Sequence, residues 1–87
     1  MKVIAKEIEM IAWFDKEGII KPLKFRLEAS DESYQVIKVL KVLSISKEKY
    51  VGNIMYSFKC KSVINNVEKI YELKYEVASS KWVLFKI

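Results

Sequence analysis

The sequence predicts a single all-β domain over residues 1–87, with about six antiparallel strands in a small barrel or a strongly curled sheet. Three observations carry this. Apolar and polar residues alternate with period two along several stretches, which separates two faces of an extended chain. Turn-forming residues punctuate the chain at short intervals, which suits hairpins rather than crossover connections. The stretches between are rich in β-branched and aromatic residues, which fit a pleated surface.

Each run can be justified in turn. Residues 3–14 would reach roughly 40 Å if straight, at about 3.3 Å per residue. A compact domain of this length has a diameter of only about 31 Å, so the run must bend, bulge or break. Asp15-Lys16-Glu17-Gly18 reads as a tight turn with Gly18 in the left-handed region. Leu23, Phe25 and Leu27 then share a face opposite Lys24, Arg26 and Glu28. Pro22 has no N–H to donate and belongs at a sheet edge or a bulge. Ala29–Ser33 is a polar loop.

The run 34–46 switches its apolar face partway, and its β-branched residues (Val36, Ile37, Val39, Val42, Ile45) favour a strand. The competing reading is an α+β fold with a helix at about 31–46. Ser30 would cap it, and Val36, Val39, Leu40 and Leu43 fit helical spacing. Lys47-Glu48-Lys49 reads as a charged turn, and Gly52 as a bend near the start of the next run. In that run Ile54, Tyr56, Phe58 and Cys60 face one way, and Ser57, Lys59 and Lys61 the other. Asn65-Asn66 is a two-residue hairpin turn, because Asn tolerates the left-handed region. Tyr71, Leu73, Tyr75 and Val77 alternate with Glu72, Lys74 and Glu76. Ala78–Lys81 makes the last connection, and Trp82–Ile87 is apolar on both faces until Lys86.

The composition narrows the chemistry by exclusion. Without His there is no Ser-His-Asp triad, no Cys-His pair and no imidazole ligand. A single Cys builds neither a disulfide framework nor a structural zinc site. Cys60 alternates with Tyr56 and Phe58 and is expected in the core as a small apolar side chain. Gly18 and Gly52 are too far apart for a phosphate-cradling loop. The carboxylate pairs Glu7/Glu9 and Glu72/Glu76 lie among lysines, the pattern of a solvated face. The expectation is therefore a non-enzyme without cofactor or metal. The N-terminal residues meet Lys6, Glu7 and Glu9 too soon for a signal peptide, and no stretch is apolar enough to span a membrane. With one unpaired Cys, a cytoplasmic setting is expected.

The positive signal is charge. Net charge is +5, and residues 38–61 alone carry Lys38, Lys41, Lys47, Lys49, Lys59 and Lys61 against Glu48. Such a segment attracts polyanions. Lys24, Arg26, Lys38, Lys41, Lys59 and Lys61 are the candidate nucleic-acid-binding residues. If the strands holding Lys24/Arg26 and Lys59/Lys61 are neighbours, they form a basic stripe. Trp13, Tyr34 and Tyr50, near run ends, are candidate base-stacking residues, as in oligonucleotide-binding barrels. Arg26 is the only Arg, which disfavours bidentate base readout. The alternative function is a homodimeric or protein-interaction module using the apolar C-terminal run, where an open edge would seek a partner.

The spaced elements Pro22-Leu23-Lys24-Phe25, Tyr34-Gln35-Val36, Tyr71-Glu72-Leu73 and Trp82-Val83-Leu84 resemble the skeleton of a small, uncharacterised bacterial all-β domain. That domain is found alone or appended to Y-family DNA polymerases. The resemblance spans most of residues 20–87 and implies the fold. The family has no established activity to lend, and this chain carries Lys and Ile where the family favours Arg and Trp.

Overall fold

The computed structural model describes residues 1–87 and consists of seven strands with no helix. They are β1 (Val3–Phe14), β2 (Ile20–Glu28), β3 (Tyr34–Lys38), β4 (Lys41–Tyr50), β5 (Asn53–Ile64), β6 (Val67–Glu76) and β7 (Lys81–Lys86). All belong to one sheet of order β3-β2-β1-β7-β6-β5-β4, antiparallel throughout, which curls strongly into a half-barrel. The molecule measures 36 × 23 × 22 Å. No helix is long and apolar enough to cross a membrane.

Two expectations change in the stretch 34–53. Residues 34–46 are not one strand, and they are not a helix. The chain breaks at Val39-Leu40 into β3 and β4, which raises the strand count from six to seven. Residues Tyr34–Lys38 ladder onto β2, from Glu28↔Tyr34 to Lys24↔Lys38, and backbone groups committed to that ladder cannot wind a helix. Lys47-Glu48-Lys49 is not a turn but lies within β4, near its C-terminal end. A charged run suits an edge strand, which is solvated along one side. The turn falls at Val51-Gly52, with φ of 48° and 86°, between the paired residues Tyr50 and Asn53.

The other turns fall where their residues allow. Asp15 Oδ1 accepts from the backbone N–H groups of Glu17 and Ile19, each at 2.9 Å, and Gly18 takes φ 82°. Asn65 and Asn66 take φ of 53° and 64° between the paired Ile64 and Val67, a type I′ geometry that matches strand twist. The long strands bend at irregularities, as their lengths require. Between Val3 and Lys6, β1 slips register, with Ala5 at φ 46°. At the β1–β2 ladder Ile11 pairs Lys24 but Ala12 pairs Pro22, leaving Leu23 over. Leu23 is consequently exposed, and Pro22 rather than Leu23 shares the buried face with Phe25.

The inward faces of β2, β3 and β5–β7 supply Ile20, Phe25, Ile37, Phe58, Cys60, Tyr71, Leu73, Tyr75, Trp82 and Leu84 to one core. Its aromatic rings interlock: Tyr75 and Trp82 lie 4.7 Å apart, Phe58 and Trp82 5.4 Å, and Phe25 and Tyr71 5.6 Å. Cys60 is fully buried, and burial pushes its thiol up to about 12.

The corner between β3 and β4 closes the curl at one end. Val39 N–H donates to Leu23 O on the β2 side (2.9 Å), and Leu40 N–H donates to Lys61 O on the β5 side (3.0 Å). Ser62 Oγ donates to Lys38 O at 2.6 Å and lies 2.6 Å from the Tyr71 hydroxyl. Away from the corner the sheet stays open. There the β1–β2 turn and β4 flank a cleft of about 260 Å³ lined by Glu17, Gly18, Ile19, Ile20, Ile45, Tyr56 and Phe58.

Candidate nucleic-acid interface

The basic residues are placed by strand alternation and register. On β2, Phe25 points into the core, so Lys24 and Arg26 point out. On β3, Ile37 points in and Lys38 out. On β5, Phe58, Cys60 and Ser62 point in, leaving Lys59 and Lys61 on the outer face. The strands holding Lys24/Arg26 and Lys59/Lys61 are not neighbours, as β1, β7 and β6 lie between them. A direct stripe across β2 and β5 therefore does not form.

A different juxtaposition replaces it. Lys24 pairs directly with Lys38, and Lys41 pairs directly with Lys61, with Lys59 facing Ser44 one row on. Lys38 and Lys41 flank the two-residue corner, so their backbones lie within about 11 Å of each other. The β3–β4 corner, hydrogen-bonded to β2 and β5, thus strings Lys24, Lys38, Lys41, Lys61 and Lys59 along one end of the half-barrel.

Their electrostatic states differ. The ion pairs of the structure are Asp15–Lys21, Glu9–Arg26, Glu68–Lys61, Glu48–Lys74 and Glu7–Lys81. Lys24, Lys38, Lys41 and Lys59 have no carboxylate within 4.0 Å, and Lys61 lies 3.8 Å from Glu68. Like charges directly across a ladder are unfavourable; no carboxylate offsets the Lys24–Lys38 pair, whereas Glu68 offsets part of the repulsion between Lys41 and Lys61.

Arg26 is committed elsewhere. It is held by Glu9, with Nε donating to Oε1 at 3.0 Å and Nη2 donating to Oε2 at 3.3 Å. Its guanidinium also lies 4.4 Å from the centre of the Tyr34 ring. Accepting these hydrogen bonds, the Glu9 carboxylate raises the Arg26 pKa.

The candidate stacking residues also separate. Tyr34 already has the Arg26 guanidinium over its ring. Tyr50 sits at the far end of β4, where Glu48 raises its pKa. Trp13 stands 62% exposed on the outer face of β1. The carboxylate pairs form no enclosed site: Glu9 binds Arg26, Glu7 lies 3.8 Å from Lys81, and Ser79 Oγ donates to Glu76.

The apolar C-terminal run does not form the open edge expected of it. β7 lies inside the sheet between β1 and β6 and has no free edge. Trp82 and Leu84 are buried inward, and the ammonium groups of Lys74 and Lys86 lie 4.3 and 5.5 Å from the centre of the outward Phe85 ring. The unpaired edges belong to β3 and β4.

The corner contacts through Leu40 and Ser62 were not legible in the sequence, because they arise from a pairing register that no local pattern records. No family model matches the chain, and no curated protein or solved structure matches it.

Proposed function

We propose that the protein is a non-enzymatic binding module of a cytoplasmic setting that engages nucleic acid weakly through the phosphates. Lys24, Lys38, Lys41 and Lys59 supply the contacts, with Lys61 sharing its charge with Glu68. The observation that carries this reading is the pair of like-charge ladders, Lys24↔Lys38 and Lys41↔Lys61, joined by a two-residue corner. Lysine ammoniums act as point charges toward phosphate and carry little sequence information. Affinity is accordingly micromolar or weaker and falls steeply with salt. Four phosphate contacts give a log–log slope of about −3 on a single strand. Fluorescence anisotropy of labelled single- and double-stranded DNA and RNA, titrated at several salt concentrations, tests this. No affinity for any of them at low salt refutes it.

A second reading, self-association, is favoured by one observation. The ten-residue strand β4 has an unpaired edge, and Ile45 on it is half exposed beside the open cleft. Exposed edges of that length template pairing with another strand. Sedimentation velocity across a wide concentration range distinguishes the two: a strict monomer removes the second reading and leaves the first intact.

A further inference from the structure

We propose that Trp13 is a stacking platform for an unpaired base, which makes single-stranded nucleic acid the ligand of the lysine corner. This rests on the phosphate-binding reading above and adds the ligand's strandedness to it.

The two tryptophans of the chain have opposite environments. Trp82 packs among Phe58 and Tyr75 and is buried. Trp13 pairs with no aromatic ring of the chain and is mostly exposed, although leaving a large apolar side chain in water forfeits roughly 1.5–3 kcal/mol. Strand alternation fixes its direction. Met10 and Ala12 pack against the core, so Ile11 and Trp13 point outward together. Register fixes its neighbours. Ile11 pairs with Lys24, which pairs with Lys38, and Trp13 pairs with Lys21 one row further. Trp13 therefore lies two strands across and one row along from Lys38, roughly 10 Å by 7 Å.

That separation is within the span of a few nucleotides, the lower end of single-strand site sizes. A flexible strand can lay its phosphates on Lys24 and Lys38 and place one base on the indole. Leu23, displaced outward by the register slip, and Ile11 extend the apolar ledge around it. A duplex cannot use this ledge, because its bases are already stacked on each other. Tyr34 does not compete for the role, since its ring is covered by Arg26.

The test is a titration with short oligothymidylate and with a matched duplex at low salt, read by anisotropy and by intrinsic tryptophan fluorescence. The expected result is tighter binding of the single strand, with quenching of the exposed indole. Trp13→Ala should abolish the quenching and weaken single-strand binding by roughly tenfold, within the range measured for one stacked base. It should leave duplex affinity and the salt slope unchanged, and Trp13→Tyr should restore part of the loss. Because Trp13 lies outside the core, an unchanged thermal unfolding curve verifies that the variants are folded. Single-strand binding without quenching, or unchanged by Trp13→Ala, overturns the stacking role while the lysines stand. Absence of binding by both oligonucleotides overturns the phosphate reading itself, and stacking with it.

Discussion

Lys24 on β2 stands directly across the ladder from Lys38 on β3, and neither has a carboxylate within ion-pair reach. Opposite charges at such positions contribute about 0.2–1 kcal/mol, and like charges work against the ladder. Lys38→Glu should therefore stabilise the fold by about 0.5–1 kcal/mol at low salt, with the gain shrinking as salt screens the pair. The same substitution should weaken nucleic-acid affinity. Urea unfolding at two ionic strengths, beside an anisotropy titration, checks both halves. A variant that is less stable and binds equally well contradicts the account of the corner.

The corner depends on a relay of hydroxyls. Ser62 Oγ donates to Lys38 O, which leaves the Tyr71 hydroxyl to donate to Ser62 Oγ. Ser62→Ala strands the buried Tyr71 hydroxyl and should cost about 2–3 kcal/mol, whereas Tyr71→Phe leaves Ser62 bonded and should cost only about 1 kcal/mol. Chemical denaturation gives the order directly. A larger loss for Tyr71→Phe would show that ring packing, not the relay, is what matters there.

Alkaline pH should loosen the fold. Burial pushes the Cys60 thiol up to about 12 and the Tyr71 hydroxyl up to about 12, from ordinary values of 9.0 and 10.0. The folded chain thus holds protons that the unfolded chain has released, and stability falls as pH rises through that interval. From neutral pH upward, stability should hold to about pH 9 and decline toward pH 12. Cys60→Ala should make the decline shallower, whatever it does to stability at neutral pH. Urea midpoints across that range supply the measurement, and an unaltered slope would exclude Cys60 as a contributor.

The left-handed turn positions offer an opposed pair of substitutions. Gly52 sits at φ 86° with no atom within 4 Å of an added Cβ, so Gly52→Ala incurs only the conformational penalty, about 1 kcal/mol. Asn66 sits at φ 64°, where Gly is the better residue of a type I′ pair, so Asn66→Gly should raise stability by a few tenths of a kcal/mol. Thermal melting should move in opposite directions for the two.

Residues 54–60 and 71–75 show what the sequence made legible. Their alternation names the core side chains Phe58, Cys60, Tyr71, Leu73 and Tyr75, because one face of each strand is buried and period two then leaves no choice. The Asn65-Asn66 turn was legible because left-handed backbone restricts residue type. The break at Val39-Leu40 was not, because both residues are ordinary strand formers and what bends the chain there is pairing to Leu23 and Lys61. Leu23 misled for a similar reason: a register slip reverses a face without leaving a mark in composition. The site followed the same division. Each lysine's exposure was readable from alternation, but their adjacency depends on which strands meet.

The placement of β7 beside β1 also has a kinetic meaning. Strands β1–β3 form one arm and β4–β7 another, and the arms meet through a ladder that pairs Val3 with Lys86, together with the short corner. Each arm can zip locally, whereas the β1–β7 ladder pairs residues from opposite ends of the chain, Val3 with Lys86, the least local contact of the fold. Such topology slows refolding relative to a simple meander of equal size. The rate-limiting event is then the search of the first strand for the last.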